Sequence, residues 1–412
     1  MQTYLRNLLP ELASIPEIQV ACFFSMAFEA PALPAGVKRI PVKGPWINNW
    51  VWMEWQLPRA VRRMANDEWR MTNEENRKSQ VAGRRSKEEL KSNEMSSSAS
   101  EVRTDSGSRH STFDIRHSTF DLFHFPAYTA SSRMSCRKVV SIHDVSYAAY
   151  PNWYPHSGGK IRQRFYRRSA ECADGIITLS QFSKSEITRV YSIEPSRIFR
   201  VHLASGLERV KPAQRWDRPP KGQWYLLHVG DLHARRNLLT ALDAFNVVSE
   251  ERHLDFVLVG RDLGARSDIQ QHARKLGCQN RLHFLQDVPL DQMPHWYRNA
   301  ALLVYPSLYE GFGLPLLEAM QCGCPVVASR AACIPEIAGD AAWLVDPLNA
   351  REIAEGIRAI LVQPETRAQL IEKGLQRAQQ FSWKKTAEQT VGVYREVLKG
   401  QDGTIPNRKR GP

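Results

Sequence analysis

The sequence predicts an α/β chain of two doubly wound domains with parallel sheets, and three observations predict it. The first is a unit in the second half. The apolar run Ala301–Val304 reads as a buried strand, Pro306, Gly311 and Gly313 force a loop, Pro315 suits the first position of a helix running to Gln321, and Pro325–Ala328 is a second buried strand. Strand, glycine loop, helix and strand in a parallel sheet put the loop at the carboxyl edge, where open α/β sheets hold ligands. The second observation is the same rhythm on both sides of Glu208–Gly222, which carries Pro212, Pro219 and Pro220 and reads as a linker. The third is size: 412 residues, 42% hydrophobic and 24% charged, can bury two cores.

Taken in order, Thr3–Ser14 sets Leu5, Leu8, Leu9 and Leu12 at helical spacing, and Ile18–Phe24 follows as a buried strand. A doubly wound domain normally opens on a strand and a glycine loop. Here a helix comes first, so the chain is expected to begin inside the fold with the first strand missing. A start upstream of Met1 and a truncation that compromises activity are the two alternatives. Val37–Val42 reads as a strand and Trp46–Met64 as a helix. From 66 to 120 the chain is rich in Ser, Glu, Arg, Lys and Asn, and RHSTFD occurs twice, at 109–114 and 116–121. With too little apolar surface to offset ordering entropy, this segment reads as a disordered insertion, or else as a regulatory or partner-binding tail. Strands Leu122–Phe125, Arg137–Ile142, Gly175–Leu179 and Arg197–Leu203, with helices Gly158–Cys172 and Phe182–Val190, complete a first domain over 1–207. The second, 223–382, holds strands Tyr225–Val229, Phe256–Val259 and Arg281–Leu285, then the 301–329 unit. Its helices are Leu238–Val248, Asp268–Leu276, Asp291–Asn299, Ala350–Leu361 and Thr366–Gln380. A helix Trp383–Leu398 and a loose tail, 399–412, follow.

The net charge of +13 is compatible with nucleic acid, an anionic membrane or anionic substrates. Acidic and basic residues balance between 66 and 120, so the excess lies elsewhere, most densely in Lys160–Arg168 (KIRQRFYRR). Such a helix either rests on an anionic bilayer or is an ordinary solvated face. No stretch reaches membrane-spanning length, and the N-terminus lacks a signal arrangement. Seven scattered cysteines argue for a reducing, cytoplasmic setting, and Cys322 and Cys324 lack the partner pair a zinc site needs.

Glu310 lies in the glycine loop and Glu318 one turn into the helix. The amides of Gly311, Phe312, Gly313 and Leu314 between them, with the helix N-terminus, form an anion site. Carboxylates flanking a phosphate accept from hydroxyls instead, so the ligand has hydroxyls on both sides of a phosphate, as a nucleotide-sugar does. The plain alternative is a loop charge and a solvated helix residue. Arg235 and Arg236, in a strand-to-helix loop, suit a diphosphate through paired charged hydrogen bonds, or are surface arginines. His143 ends a strand, where a polar group can face a cleft or serve the structure; Asp144 orients its ring or caps the next turn.

Glu310-x7-Glu318 within PSLYEGFGLPLLEAMQCGCPVVAS, followed by IPEIAGDAAWLVDP, resembles the donor-binding signature of the retaining glycosyltransferases of family 4, also called group 1. SIHDVSYAAYPNWYP and ITLSQFSKSEI resemble the acceptor-side domain of the same family, and the likeness covers most of 121–398. It implies a GT-B fold, two facing Rossmann-like domains with the last helix crossing back to the first. It implies transfer of a hexose, mannose by similarity to mannosyltransferase-like members, from a GDP- or UDP-sugar to a hydroxyl of a glycan or lipid-linked acceptor. Retention at the anomeric carbon, polysaccharide or glycan synthesis, and no cofactor or nucleic-acid partner belong to the same implication, with peripheral contact at the inner face of the membrane in keeping with the basic helix. By resemblance Glu310 holds hexose hydroxyls, Glu318 the ribose, backbone near Val288 the base, and His143 lies beside the transferred sugar. Arg235, Arg236 and the amides after Glu310 would stabilise the leaving diphosphate in place of a metal, and no Asp-x-Asp pair occurs. The family pattern Arg-Lys-Asn is Arg-Arg-Asn at 235–237. This reading needs both acids to face the gap between the lobes and both guanidiniums to be free of internal carboxylates. A truncated, inactive nucleotide-sugar-binding protein is the alternative; a dehydrogenase is disfavoured because no G-x-G-x-x-G follows a strand.

Overall fold

Six apolar runs in the second half pair in parallel as one sheet: β7 (Trp224–Val229), β8 (Leu254–Val259), β9 (Leu282–Leu285), β10 (Leu302–Tyr305), β11 (Val326–Ser329) and β12 (Trp343–Val345) in a computed structural model of the chain, which describes residues 2–25, 33–35, 37–42, 120–134, 136–154, 159–210 and 224–400. Their spatial order is β12-β11-β10-β7-β8-β9. The chain therefore runs outward from β7 to β9, returns beside β7 with β10, and runs outward the other way. The loops after β7 and β10 leave toward opposite faces and open a crevice between them. Helices α5 (Leu238–Glu251), α6 (Arg266–Leu276), α7 (Met293–Asn299), α8 (Leu314–Gln321), α9 (Ile334–Ala338), α10 (Ala350–Val362) and α11 (Pro364–Gln379) cover the sheet. Gly260 permits a close approach beneath the crevice: its φ is +157°, and a Cβ there would meet the Gly230 carbonyl at 2.0 Å.

The strands of the first half fall into two sheets, where one was expected. β1 (Val20–Ser25) pairs with β2 (Val37–Val42), while β3 (Leu122–Phe125), β4 (Arg137–Ser141), β5 (Gly175–Thr178) and β6 (Ile198–Arg200) form a separate parallel sheet. No described strand joins them. Helices α1 (Gln2–Ala13), α2 (Ser146–Ala149), α3 (Gly159–Cys172) and α4 (Gln181–Tyr191) belong to this half. The strand expected over 197–203 is shorter: the Val201 N–H still donates to the Thr178 carbonyl of β5 at 2.8 Å, and from Leu203 and Ala204 the buried chain packs as the crossover into the second half.

The last helix, α12 (Trp383–Lys399), returns to the first half and lies against α1, β4 and β5. Trp383 anchors it: the ring is fully buried and its Nε1–H donates to the Ser205 carbonyl at 3.0 Å. Truncating such a side chain costs about 3–5 kcal/mol. One apolar cluster runs from Tyr4, Leu8 and Leu12 of α1 through Leu203 and Trp383 to Leu227 and Leu316, so the two halves share a core. The seven cysteines are free thiols. Among the described residues no helix is long and apolar enough to cross a membrane. The helix expected over 46–64, most of the 66–120 insertion, most of the linker and nearly all of the tail lie outside the described residues.

Candidate functional site

The crevice between β7 and β10 is closed at its base by backbone pairing of the two loops. After β7 the chain makes a short turn, Ala234–Arg236, and Asn237 takes a left-handed conformation with φ +55°, which asparagine tolerates better than most residues. The Asn237 amide donates to the Pro347 carbonyl at 2.6 Å, and the Leu308 N–H donates to the Arg235 carbonyl at 2.8 Å. The segment carrying both arginines is thereby tied to the loop that carries Glu310.

Glu310 accepts from Arg235 Nη1 at 3.2 Å, from Arg236 Nη1, and from the Tyr305 hydroxyl at 2.9 Å. Arg236 also donates to Tyr305 Oη at 2.6 Å, and Arg235 to the Tyr309 carbonyl at 3.1 Å. This corrects the expectation that the guanidiniums stand free of internal carboxylates: with no ligand bound, Glu310 occupies both. The compensation is incomplete. Within contact distance one carboxylate faces two guanidiniums, and Arg236 Nε is buried without a partner. Burial, reinforced by the neighbouring Arg235, pulls the Arg236 pKa below the usual arginine value. For Arg235, burial pulls the pKa down, but Asp144 together with Tyr154, Tyr305 and Tyr128 outweighs it and leaves the pKa raised. Arg235 keeps 20% side-chain exposure against 10% for Arg236, so a ligand meets its fork first.

The second acid, Glu318, lies on α8 at the seam between the halves. It accepts from the Tyr297 hydroxyl at 2.8 Å and from the Gly206 N–H of the crossover. A Cβ on Gly206 would sit 2.6 Å from Glu318 Oε1. Glu318 is partly buried and already hydrogen-bonded, and burial raises its pKa above the usual carboxylate range. It lies at the seam with neither oxygen simply solvated.

Between the two acids, Gly313 adopts φ +91° and α8 begins at Leu314 with Pro315 in its first turn. The Phe312 side chain turns into the core beside His202 and Phe381, leaving only its backbone to a ligand. His143 ends up against this loop through its backbone: a Cβ on Gly311 would lie 2.3 Å from the His143 carbonyl. The imidazole is held by the Pro126 carbonyl at 3.1 Å, stands edge-on to Tyr4, and is kept neutral by burial, which lowers its pKa. Asp144 caps the next turn, accepting from the Ser146 N–H at 2.9 Å and its hydroxyl at 2.7 Å. Val288 follows Asp287, whose φ is +53°, at the end of β9, two strands from the crevice.

Several contributors were not legible singly. Tyr305 bridges Arg236 and Glu310 only because β10 lies beside β7. Ser180 and Ser183 grip the Gly311 carbonyl from α4. Ser180, ahead of Gln181–Tyr191, carries the N-cap signature that could have singled it out.

The family description "Glycosyl transferases group 1" matches residues 210–377, and "Glycosyltransferase Family 4" matches residues 99–205. The O-antigen chain mannosyltransferase B of Escherichia coli is 32% identical over 281 residues, 66% of this chain and 74% of that protein. The MMP alpha-(1->4)-mannosyltransferase of Mycolicibacterium hassiacum is 28% identical over 247 residues, 56% of each chain. In three dimensions the sucrose-phosphate synthase of Thermosynechococcus elongatus superposes with a TM-score of 0.66 at 18% identity, covering 96% of this chain and 93% of that one, a likeness of fold. With matches in both halves of the chain and an overlay across nearly the whole length, this chain belongs to the group 1 glycosyltransferases of family 4 and has the GT-B fold.

Proposed function

We propose that the chain transfers a hexose, mannose in our reading, from a GDP- or UDP-sugar to a hydroxyl of a glycan or lipid-linked acceptor, with retention at the anomeric carbon. One observation carries this reading: two guanidiniums share one carboxylate in a crevice beside a helix N-terminus, with Arg236 Nε unpartnered. Such a site is short of negative charge, and a diphosphate supplies it. Its oxygens would take the guanidiniums from Glu310, and the released carboxylate would accept from hexose hydroxyls. As the bond to the sugar breaks, the cations and the amides of 311–314 stabilise charge on the leaving diphosphate from positions fixed beforehand. In this mechanism the chain's own cations do that work without a metal ion. Glu318 would exchange the Gly206 N–H for a ribose hydroxyl, backbone near Val288 would meet the base, and neutral His143 would give the hexose pocket a polar edge. Mannose is supported by the names of the two bacterial relatives.

Nucleotide-sugar binding without transfer is the second reading, favoured by the division of the first half into two sheets. The basic helix α3, with Ile161 82% exposed beside Arg162 and Arg164, supports peripheral contact with an anionic bilayer at the cytoplasmic face. Incubating the purified chain with a panel of GDP- and UDP-sugars, with and without glycan acceptors, tests the proposal. Turnover with an anomer matching the donor is expected. Binding without turnover would establish the second reading, and absence of both would overturn the donor site.

A further inference from the structure

The first two turns of α4 lie along the donor loop, although the two belong to opposite halves of the chain. Ser180 is the N-cap of α4: its Oγ accepts from the Ser183 N–H at 3.1 Å and donates to the Gly311 carbonyl at 2.9 Å. Ser183 Oγ lies 3.2 Å from the same carbonyl. Both serines are fully buried. One residue on, the Gln181 N–H donates to the Glu336 carboxylate at 2.8 and 3.0 Å. Arg200 Nη1 and His202 Nε2 each reach Glu336 Oε1 at 3.1 Å. Glu336 comes from α9 in the second half, while Gln181, Arg200 and His202 come from the first. Phe182 meets the Tyr309 ring edge-on at 5.1 Å, and the Tyr309 hydroxyl donates to Glu186 at 3.4 Å.

We propose that this is a clasp that couples closure of the two lobes to the conformation of the donor loop, with Ser180 and Ser183 as positioning residues and Glu336 as the latch. The Gly311 carbonyl belongs to the peptide next to Glu310 and to the amide run that leads into α8. Fixing its direction with two hydroxyls fixes where the Glu310 carboxylate points and where the following N–H groups face. When the lobes separate, the serines leave and the loop is free to rotate. When the lobes close, Glu336 accepts from a helix N-terminal amide, the Arg200 guanidinium and the His202 imidazole, and the serines re-form their bonds. The loop is then in its transfer-competent form only in the closed arrangement. This rests on the donor reading above and assigns it a control that neither acid of the signature supplies.

The test uses the full chain, a Ser180→Ala/Ser183→Ala double variant and, because two buried changes can impair folding, Glu336→Gln at the partly exposed latch. Affinity for the bare nucleoside diphosphate and transfer kinetics are measured for each. The clasp predicts kcat reduced about 10-fold or more and nucleotide affinity changed by clearly less, since each lost buried hydrogen bond is worth a factor of about 10 while Arg235 and Arg236, the diphosphate's charged partners, are untouched. A purely structural role would weaken nucleotide binding and kcat together, and that parallel loss overturns the clasp. So does an undiminished kcat in either variant, which leaves the donor reading intact. An unaltered chain that binds no nucleoside diphosphate overturns both.

Discussion

Replacing Glu310 with glutamine removes the charge that the ligand-free site relies on and keeps the shape. The carboxylate contacts both guanidiniums and the Tyr305 hydroxyl, and Glu310 is 5% exposed. Taking one partner from a buried ion pair costs about 3–5 kcal/mol because the other charge stays buried. Glutamine keeps one acceptor oxygen, which places Glu310→Gln near 3 kcal/mol, on the order of 6 °C in the transition of the second half at about 2 °C per kcal/mol. Nucleotide should narrow the gap. In the unaltered chain the diphosphate competes with Glu310 for the guanidiniums; in the variant it does not. A ten-fold gain in affinity is about 1.4 kcal/mol, and it adds to the roughly 2.7 kcal/mol that any ligand gives at a hundred times its Kd. Thermal unfolding followed by circular dichroism, with and without millimolar UDP or GDP, reads both effects. The expected result is a lower ligand-free Tm, a larger nucleotide-induced rise than in the unaltered chain, and reduced transfer because hexose hydroxyls lose their charged acceptor. An unchanged ligand-free Tm, or a nucleotide-induced rise smaller than that of the unaltered chain, would refute the idea that Glu310 holds the place of the diphosphate.

Three further outcomes follow from packing and titration. Gly311→Ala puts a Cβ 2.3 Å from the His143 carbonyl, so the loop must shift by about 1 Å, and transfer should fall about 100-fold. Gly392→Ala, in open space on α12, should instead raise stability by about 1 kcal/mol; activity assays and chemical denaturation separate the two. His124 and His228 are both pushed down to about 3, each primarily by burial. Unfolded histidine titrates near ~6.5, so between about 3 and ~6.5 the unfolded chain binds more protons than the folded one. Their contribution is complete above ~6.5 and is lost as the pH falls toward 3, at about 1.4 kcal/mol per histidine per pH unit. Burial lowers His143 and His233 as well, so denaturation midpoints from pH 7 to 5 should fall accordingly and His124→Gln should make that slope shallower; an identical slope would contradict the assignment.

Local chemistry made the 301–329 unit legible. Buried strand residues, glycines at the loop and a proline at the helix start all pointed the same way, and α8 begins within one residue of the expected position. What sequence spacing does not carry is strand order. Arg236 and Glu310 meet because β10 returns beside β7, and Glu318 meets Gly206 because the crossover runs under α8. Their separation along the chain hides both pairs, so guanidiniums expected to be open are found on a carboxylate. The apolar pair Leu203 and Ala204 shows a related difficulty. Burial in a strand and burial in a crossover leave the same residue types, and only the hydrogen-bonding partners distinguish them. His143 was expected to face a cleft, but its ring packs against Tyr4 and its contact with the glycine loop runs through its carbonyl, which no side-chain pattern reports.

The central claim is that the charge-deficient crevice takes a diphosphate. Calorimetric titration of UDP and GDP, against uridine and guanosine, into the unaltered chain and into Arg236→Gln tests it most directly. The account predicts binding of at least one diphosphate, none of its nucleoside at the same concentration, and a weakening of about 10-fold or more in the variant, as loss of one charged hydrogen-bonding partner requires. Equal affinity of nucleoside and nucleoside diphosphate, or an undiminished affinity in Arg236→Gln, would contradict it.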